Sequence, residues 1–328
     1  MEALEQSMLE RGIRARAAAE GLRNAPAEAR TRALNTLAIG IHNKADEILA
    51  ANQRDLEAGR ANGMTDAMLD RLALTPERIE GIAAAVAIIA GVKDPLGVET
   101  ERWIAPVNGL DIARTRTPIG VLGVIYESRP NVTADAAALC IRSGNAAILR
   151  CGSDCLQSSL AIAQLVAEAL DDAWLPADAI QLVDTADRAA AGLMLQGLNG
   201  SIDVIIPRGG KSLVARVQAE ARTAVLSHLE GMNHTYVHTG ADADRARALV
   251  LNAKMRRVSV CGATETLLID KAVAAELLPL IAADLSKSGC ELRGDRAACA
   301  IVPSMTAADE QDWSTEYLAA VLSVAVVD

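Results

Sequence analysis

The chain has 328 residues, 51% of them hydrophobic, with a formal net charge of −10 at pH 7 and a pI near 5.0. A chain of this length can bury a sizeable core and is expected to form two domains, and its apolar content excludes disorder over most of its length. The acidic charge argues against a nucleic-acid-binding protein, and the longest apolar run, 83–92, is far shorter than the roughly 20 residues of a membrane span.

The first part of the chain is predicted to be helical. Residues 1–94 carry apolar side chains at three- and four-residue spacing, as at Leu34 and Leu37, which is the period of a helix with one buried face. One helix start is sharp, because Thr75 is a good N-cap and Pro76 suits the first helical position.

From residue 120 the pattern changes to short Val- and Ile-rich runs that alternate with helical stretches. This alternation predicts βαβ units, and the continuous apolar runs predict a parallel sheet covered on both faces. The predicted strands are 120–126, 146–150, 180–184 and 202–207, and the predicted helices include 154–171 and 185–198.

A second set of elements follows a domain boundary predicted near residue 225. It comprises strands at 235–237, 265–269 and 299–302 and helices at 241–255 and 271–287. A last apolar run, 319–327, is predicted to be a strand whose sheet neighbours follow it in the chain. The predicted fold class is α/β, with N-terminal helices and a doubly wound domain over 1–225 and a second α/β domain over 226–328.

The N-terminus has neither the basic start nor the apolar core of a secretory signal, so we expect a cytoplasmic protein whose six cysteines are reduced. Cys151 and Cys155 are close in sequence but lack the further Cys or His ligands of a zinc site. The histidines at 228, 234 and 238 are interpreted as loop and strand residues. We therefore predict no metal site.

Two strand ends are candidates for cofactor binding, because a doubly wound domain binds ligands at the carboxyl ends of its strands. No strand end carries the Gly-x-Gly-x-x-Gly pattern, and the spacing at 207–212 excludes a Walker A loop. The Gly209-Gly210 turn either binds a phosphate through backbone amides or is merely a tight turn. Arg150 and Ser153 could bind a ribose or its 2′-phosphate, although an arginine at this place is more often a solvated strand end.

Cys261 stands in the sequence RRVSVCGATETLLI (256–269), between a basic approach and a small Gly-Ala turn. A free thiol has a pKa of about 8.5 and needs cationic neighbours to become a good thiolate nucleophile. Arg256 and Arg257 precede it in the chain. Cys261 is therefore a candidate nucleophile, against the commoner role of a cysteine as a small buried apolar side chain.

Four segments carry a family resemblance: VIYESRPNVT (124–133), SGNAAILR (143–150), IPRGG (206–210), and NAK (252–254) leading to CxxxETLL (261–268). Together they resemble the gamma-glutamyl phosphate reductases of the aldehyde dehydrogenase superfamily, and the likeness extends along the whole chain. The resemblance implies an aldehyde-dehydrogenase-like fold with a cofactor domain and a catalytic domain. It implies NADPH-dependent reduction of L-glutamyl 5-phosphate to L-glutamate 5-semialdehyde, with release of phosphate, in proline biosynthesis.

The resemblance also implies roles for the residues around the substrate. Cys261 matches the family's nucleophile, which attacks the acyl phosphate and carries a thioacyl intermediate. The Asn131 side chain and the Cys261 amide are the expected oxyanion donors, and Arg129 is the expected clamp for the anionic substrate. The place of the water-activating glutamate of hydrolytic members is held by His228.

The cofactor residues implied by the resemblance lie at two strand ends. Those expected to hold the ribose and 2′-phosphate of NADP are Arg150 and Ser153, and those of the second cofactor loop are Pro207, Arg208, Gly209 and Gly210. The chain departs from the residues usual in the family at Cys151, Val258, Gly262 and the pair Met232-Asn233.

The resemblance further implies that family members continue past residue 328 into an oligomerisation arm, so the chain is expected to be C-terminally shortened. A homo-oligomer is expected for the family but is in doubt without that arm, and glutamate 5-kinase is a partner suggested by the pathway. Two alternatives stay open: a non-phosphorylating aldehyde dehydrogenase, and a shortened inactive relative that serves as a folding unit or binding partner.

Overall fold

The computed structural model describes residues 2–228 and 230–328. These residues form two units: unit 1 runs to Ser227, and unit 2 is His228–Asp328. Among the described helices, none combines the length and the apolar character that a membrane crossing requires.

The helices of unit 1 begin where the sequence offers good caps. Thr75 Oγ1 accepts the N–H of Arg78 at 3.2 Å and Pro76 occupies the first helical position, which confirms the predicted start. The helices are α1 (Glu2–Arg23), α2 (Ala27–Asn43), α3 (Ala45–Ala61), α4 (Asp66–Leu72), α5 (Pro76–Gly91), α6 (Asn131–Arg142), α7 (Leu156–Asp172), α8 (Arg188–Leu195) and α9 (Lys211–Glu220).

The strands of unit 1 form a parallel five-stranded sheet and a separate antiparallel hairpin. They are β1 (Glu99–Ile104), β2 (Asp111–Thr115), β3 (Val121–Tyr126), β4 (Ala146–Arg150), β5 (Ile180–Leu182), β6 (Val204–Arg208) and β7 (Ala224–Val225). The sheet order is β5-β4-β3-β6-β7, and β1 pairs with β2. The hairpin was not predicted, because its exposed strands carry no apolar alternation.

The sheet of unit 1 is covered on both faces, as the continuous apolar runs predict. Successive residues of β3 point into different cores: Leu122 and Val124 pack with residues of α2 to α7, whereas Val121 and Ile125 pack with residues of α1 and α8. The sequence-derived prediction of a doubly wound α/β fold is therefore confirmed for this unit.

Unit 2 contains one parallel sheet with its own apolar core. Its helices are α10 (Ala243–Met255), α11 (Lys271–Lys287) and α12 (Arg296–Ile301). Its strands are β8 (Asn233–Val237), β9 (Thr264–Asp270), β10 (Glu291–Gly294), β11 (Thr306–Ala307) and β12 (Val321–Val327), in the order β11-β10-β12-β9-β8. The core forms where Leu277 and Ile281 of α11 pack in one cluster with Leu267 of β9.

Two predictions for unit 2 are wrong. Residues 299–302 were expected to be a strand, but they fall in or just after α12, because Asp295 caps that helix by accepting the N–H of Ala298 at 2.7 Å. The neighbours of β12 were expected to follow it in the chain. Both neighbours, β9 and β10, precede it instead, so β12 lies in the sheet between two strands that come earlier in the chain.

Candidate active site

Cys261 lies in the turn that connects α10 to β9, within residues 256–263, called here the Cys261 segment. The thiol-bearing residue is exposed, and the main chain around it turns sharply, since the Ala263 N–H donates to the Val260 carbonyl at 2.9 Å. Gly262 beside it is exposed and has open space where a β-carbon would stand. The turn therefore presents the sulfur to a ligand without a bulky side chain following it.

The other cysteines are placed differently, and the structure describes all six. Cys299 is half-buried, and the buried ones are Cys140, Cys151, Cys155 and Cys290. Burial raises the pKa of Cys140 to about 12 and that of Cys290 to about 11, so both thiols stay protonated near neutral pH. Among these cysteines Cys261 is the one whose thiol is open to a substrate.

The start of β8 holds the main chain of Cys261. Asn233 Nδ2 donates to the carbonyl oxygen of Cys261 at 2.5 Å and to that of Ala263 at 3.1 Å. Gly231 packs against the same place, and a β-carbon there would overlap the Cys261 carbonyl oxygen. Sequence reasoning noted Asn233 only as a departure from the family pattern, because the contact joins residues 28 positions apart.

A buried ion pair flanks the Cys261 segment. Lys254 is in the last turn of α10 and Glu265 is in β9, and their Nζ and Oε2 atoms are 2.6 Å apart with side chains 0% and 1% exposed. The Lys254 Nζ also lies 5.9 Å from the centre of the Tyr317 ring, a cation–π distance. The pair joins the two ends of the segment and so fixes where the segment leaves the helix and enters the sheet.

In unit 1 the carboxyl ends of β4, β3 and β6 lie side by side at one edge of the sheet. The strand order reverses between β3 and β6, which is the place where doubly wound sheets bind ligands. Pro207 is buried near the end of β6, and Arg208, Gly209 and Gly210 are exposed before α9. The residues of the predicted second cofactor loop are thus together at this edge.

Sequence reasoning did not identify Glu127, whose carboxylate contacts the start of α9 at this edge. Glu127 follows β3, and its Oε2 atom accepts the N–H of Gly210 at 3.1 Å. A β-carbon on Gly209 would lie 2.5 Å from the same oxygen. The start of α9 therefore already attracts a negative group, as the unpaired amides and the dipole of a helix N-terminus favour.

The end of β4 differs from a solvated strand end. Arg150 is 9% exposed, one guanidinium nitrogen donates to the Ala186 carbonyl at 3.3 Å, and its Nε atom has no partner. Ser153 is exposed three residues later. Between them a β-carbon on Gly152 would overlap the Asp154 carboxylate, so a glycine permits this close turn. A buried, incompletely paired guanidinium and an exposed hydroxyl are therefore available to a polar ligand.

The remaining predicted residues also lie at this edge, in the connection from β3 to α6. Arg129 is exposed in the turn, and Asn131 is the first residue of α6. Asn131 Nδ2 donates to Asp135 Oδ2 at 2.9 Å. Burial raises the pKa of Asp135, and the hydrogen bond from Asn131 opposes that rise. The Asn131 amide is thus oriented by its own helix.

The two units offer different chemistry. Unit 1 gathers cationic side chains and backbone amides that suit an anionic ligand, and unit 2 presents one exposed thiol. Over residues 2–228 and 230–328, no cluster of three or more His, Cys, Asp or Glu side chains could hold a metal ion.

Comparison with known sequences identifies relatives of this chain. A model of the aldehyde dehydrogenase family matches residues 6–318. The gamma-glutamyl phosphate reductase of Caulobacter vibrioides is 62% identical over 317 residues, which cover 97% of this chain and 76% of the relative. That of Hyphomonas neptunium is 59% identical over 326 residues, covering 99% of this chain and 76% of the relative.

Solved structures agree with the sequence comparison. The gamma-glutamyl phosphate reductase of Thermotoga maritima has a TM-score of 0.89 and 38% identity, with 98% of this chain and 77% of that chain covered. A glyceraldehyde-3-phosphate dehydrogenase of Methanocaldococcus jannaschii, solved in complex with NADP, shares the fold with a TM-score of 0.60 and 16% identity, covering 99% of this chain and 76% of that one. The chain spans about three quarters of the length of these relatives.

Proposed function

The chain belongs to the aldehyde dehydrogenase family and, within it, to the gamma-glutamyl phosphate reductases, and we propose that it reduces L-glutamyl 5-phosphate to L-glutamate 5-semialdehyde with NADPH in proline biosynthesis. It is an oxidoreductase of a family that uses a nicotinamide cofactor. The observation that carries the proposal is the exposed Cys261 thiol in a turn held from β8. In this proposal unit 1 binds the cofactor and unit 2 supplies the nucleophile.

Cys261 performs the first bond exchange. Its thiolate attacks the acyl carbon of the mixed anhydride, a sulfur–carbon bond forms, and the bond to the phosphate oxygen breaks. Inorganic phosphate leaves with the electron pair of that bond. The product on the protein is a thioester, which keeps the acyl group activated for reduction.

Asn131 and Arg129 are the proposed partners of the substrate's negative charge. The carbonyl oxygen becomes an oxyanion when sulfur attacks, and an amide donor aimed at that oxygen lowers the barrier. The Asn131 side chain, oriented by Asp135, and the backbone N–H of Cys261 are the proposed donors. Arg129 is exposed and its guanidinium suits a carboxylate or phosphate group.

Two observations support the assignment of the cofactor residues. The buried Arg150 guanidinium has an unpaired Nε atom, and the Gly210 N–H donates to the Glu127 carboxylate, so each strand end carries a donor suited to a negative group. When bound, NADPH supplies the hydride that converts the thioester to the aldehyde. Arg150 and Ser153 would hold the ribose and its 2′-phosphate, and the loop of Pro207, Arg208, Gly209 and Gly210 would hold the diphosphate. Cys261 then leaves as the thiolate and is ready for the next substrate.

The same proposal includes the source of the substrate. An acyl phosphate is a labile mixed anhydride, so a kinase acting on the side-chain carboxylate of glutamate must supply it close by. Glutamate 5-kinase is therefore the proposed partner, and the cytoplasm is the proposed compartment. A homo-oligomer is also proposed, by analogy with the family.

The reverse reaction tests the proposal without the labile substrate. The purified chain is mixed with glutamate 5-semialdehyde, NADP and inorganic phosphate, and NADPH absorbance is followed beside Cys261→Ala. Cys299→Ala is the matched control, because it removes a thiol outside the proposed site. The expected result is a phosphate-dependent signal that Cys261→Ala abolishes and Cys299→Ala retains. A signal that needs no phosphate would indicate a non-phosphorylating aldehyde dehydrogenase, and an active Cys261→Ala would place the nucleophile elsewhere.

The cofactor assignment has its own test. Arg150→Met keeps the buried volume but removes the charge, and it is expected to weaken NADP binding by about 10- to 100-fold, which is the worth of a hydrogen bond to a charged group. NAD lacks the 2′-phosphate, so its affinity in the same titration should hardly change. An equal loss for both cofactors would mean that Arg150 only supports the fold at the end of β4.

A further inference from the structure

We infer that Asn233 is a positioning residue for the nucleophile: its side-chain amide fixes the main chain on both sides of Gly262, directly after Cys261, and thereby sets where the sulfur meets the acyl carbon. The inference rests on the proposed role of Cys261 as nucleophile. It assigns to Asn233 no contact with substrate or cofactor.

The geometry is that of a clamp on the carbonyl groups around the nucleophile. Asn233 Nδ2 lies 2.5 Å from the carbonyl oxygen of Cys261 and 3.1 Å from that of Ala263. A third carbonyl, that of Gly231, is 3.4 Å away. One amide nitrogen carries two hydrogens, so it can serve the Cys261 and Ala263 carbonyls together. The two carbonyls belong to residues on either side of Gly262, and fixing both fixes the peptide units that follow the nucleophile.

The main chain of Asn233 is held in place by the parallel sheet of unit 2. It is the first residue of β8 and pairs with Thr264 at the start of β9, where the register between the two strands shifts. Thr235 Oγ1 and Thr264 Oγ1 form a further bond across the strands at 2.7 Å. Because the base of the Asn233 side chain is part of a sheet, its amide is a stable reference point for a turn that has no regular structure of its own.

The surroundings of the amide favour a role in geometry over a role in stability. Asn233, Cys261 and Gly262 are all exposed, so water can replace the lost donor when Asn233 is changed. A hydrogen bond at such a place changes the folding equilibrium by about tenfold or less. The position of the sulfur is more sensitive, since a displacement of about 1 Å can cost a reaction roughly 100-fold.

The packing of Gly231 shows that the Cys261 carbonyl has little freedom in one direction. A β-carbon on Gly231 would overlap that oxygen, so the main chain of Gly231 stops the carbonyl from moving toward β8. Asn233 draws the same carbonyl toward β8 through its hydrogen bond. The carbonyl is thus held between a steric stop and an attractive donor, which is a stricter restraint than either alone.

The test compares three variants of Asn233 with one control on the same strand. Asn233→Ala removes the donor, Asn233→Asp replaces it with oxygens that repel the two carbonyls, and Asn233→Gln keeps an amide donor on a longer arm. Tyr236→Phe is the control: it removes a hydrogen bond of the same strand, from Tyr236 to Asp270 at 2.9 Å. All four proteins and the wild type are compared in the reverse reaction and by hydrogen exchange of residues 256–263.

The expected result is a fall in kcat of about 10- to 100-fold for Asn233→Ala, with the KM for NADP changed less than the kcat. Asn233→Asp should be at least as slow, and Asn233→Gln should recover part of the rate. Amide exchange in the Cys261 segment should be faster in the Ala and Asp variants, with β9 and α11 still protected. Tyr236→Phe should keep the rate and exchange of the wild type.

The outcomes separate this inference from the proposed function. If the wild type shows no phosphate-dependent reaction, the proposed function fails, and hydrogen exchange still decides whether Asn233 restrains the Cys261 segment. If the wild type is active but Asn233→Ala keeps its kcat, the inference is overturned. It is also overturned if all three variants lose activity equally and exchange faster throughout unit 2, because that pattern indicates a purely structural role.

Discussion

Breaking the buried ion pair between Lys254 and Glu265 should be among the most costly single changes in unit 2. Lys254→Met leaves the Glu265 carboxylate at 1% exposure without its partner 2.6 Å away, and the other carboxylate oxygen, Oε1, has no partner to begin with. Removing one member of a buried pair costs about 3–5 kcal/mol. At about 1.4 kcal/mol per factor of ten, this lowers the ratio of folded to unfolded protein by roughly 100- to 4000-fold.

Urea unfolding followed by circular dichroism measures this loss as a lower midpoint with an unchanged slope. The double variant Lys254→Met with Glu265→Leu removes both charges, so it should recover most of the stability, since a well-packed apolar replacement is often neutral or better. Lys271→Met is the matched control, because Lys271 pairs with Asp328 at the surface, and its midpoint should not move. The reasoning fails if Lys254→Met is as stable as the wild type, or if the double variant is no more stable than the single one.

Other changes test the accessible thiol, the packing at Gly231 and the charge at the start of α9. Iodoacetamide near neutral pH should label Cys261 in the folded chain and spare Cys140 and Cys290, whose pKa values are raised by burial; mass spectrometry that finds a buried thiol modified first would contradict this. Gly231→Ala should slow the reverse reaction by about 100-fold, because the methyl displaces the Cys261 carbonyl. An unchanged rate would mean that the Cys261 segment can shift without loss of activity. Glu127→Gln removes a negative charge beside Gly210 and should tighten NADP binding severalfold at low salt, since a unit charge at about 4 Å is worth ~1 kcal/mol in water; weaker binding by calorimetry would make Glu127 a ligand of the cofactor.

Local patterns in the sequence predicted much of the fold. The cap at Thr75 specifies the start of α5, and the continuous apolar run specifies β4. Each signal lies within a few neighbouring residues, so both elements can be predicted without tertiary information. The run 299–302 was misassigned because four apolar residues fit a short helix as well as a strand, and the cap at Asp295 decides between them.

Sequence reasoning proposed candidates for the reactive residues of the site, but not for the residues that hold them. Cys261 stands out in the sequence because it lies at a Gly-Ala turn and not inside an apolar period, and the family resemblance pointed to the strand ends. Asn233 and Glu127 act through contacts 28 and 83 residues away, and the Lys254–Glu265 pair forms only when α10 packs on β9. Such contacts leave no periodic pattern, so single-sequence reasoning had no signal with which to find them.

The insertion of β12 between β9 and β10 sets an order of events during protein synthesis. Strands β9 and β10 leave the ribosome before the strand that separates them exists. At about 5–20 residues per second, residues 321–327 are synthesised several seconds after β9. Until then the backbone N–H and C=O groups on one side of the apolar strand β9 have no strand to pair with. During that interval the nascent chain of unit 2 is a substrate for chaperones and for strand addition by other chains. Codons that slow translation between β9 and β12 should therefore lower the yield of folded protein without any change in its sequence.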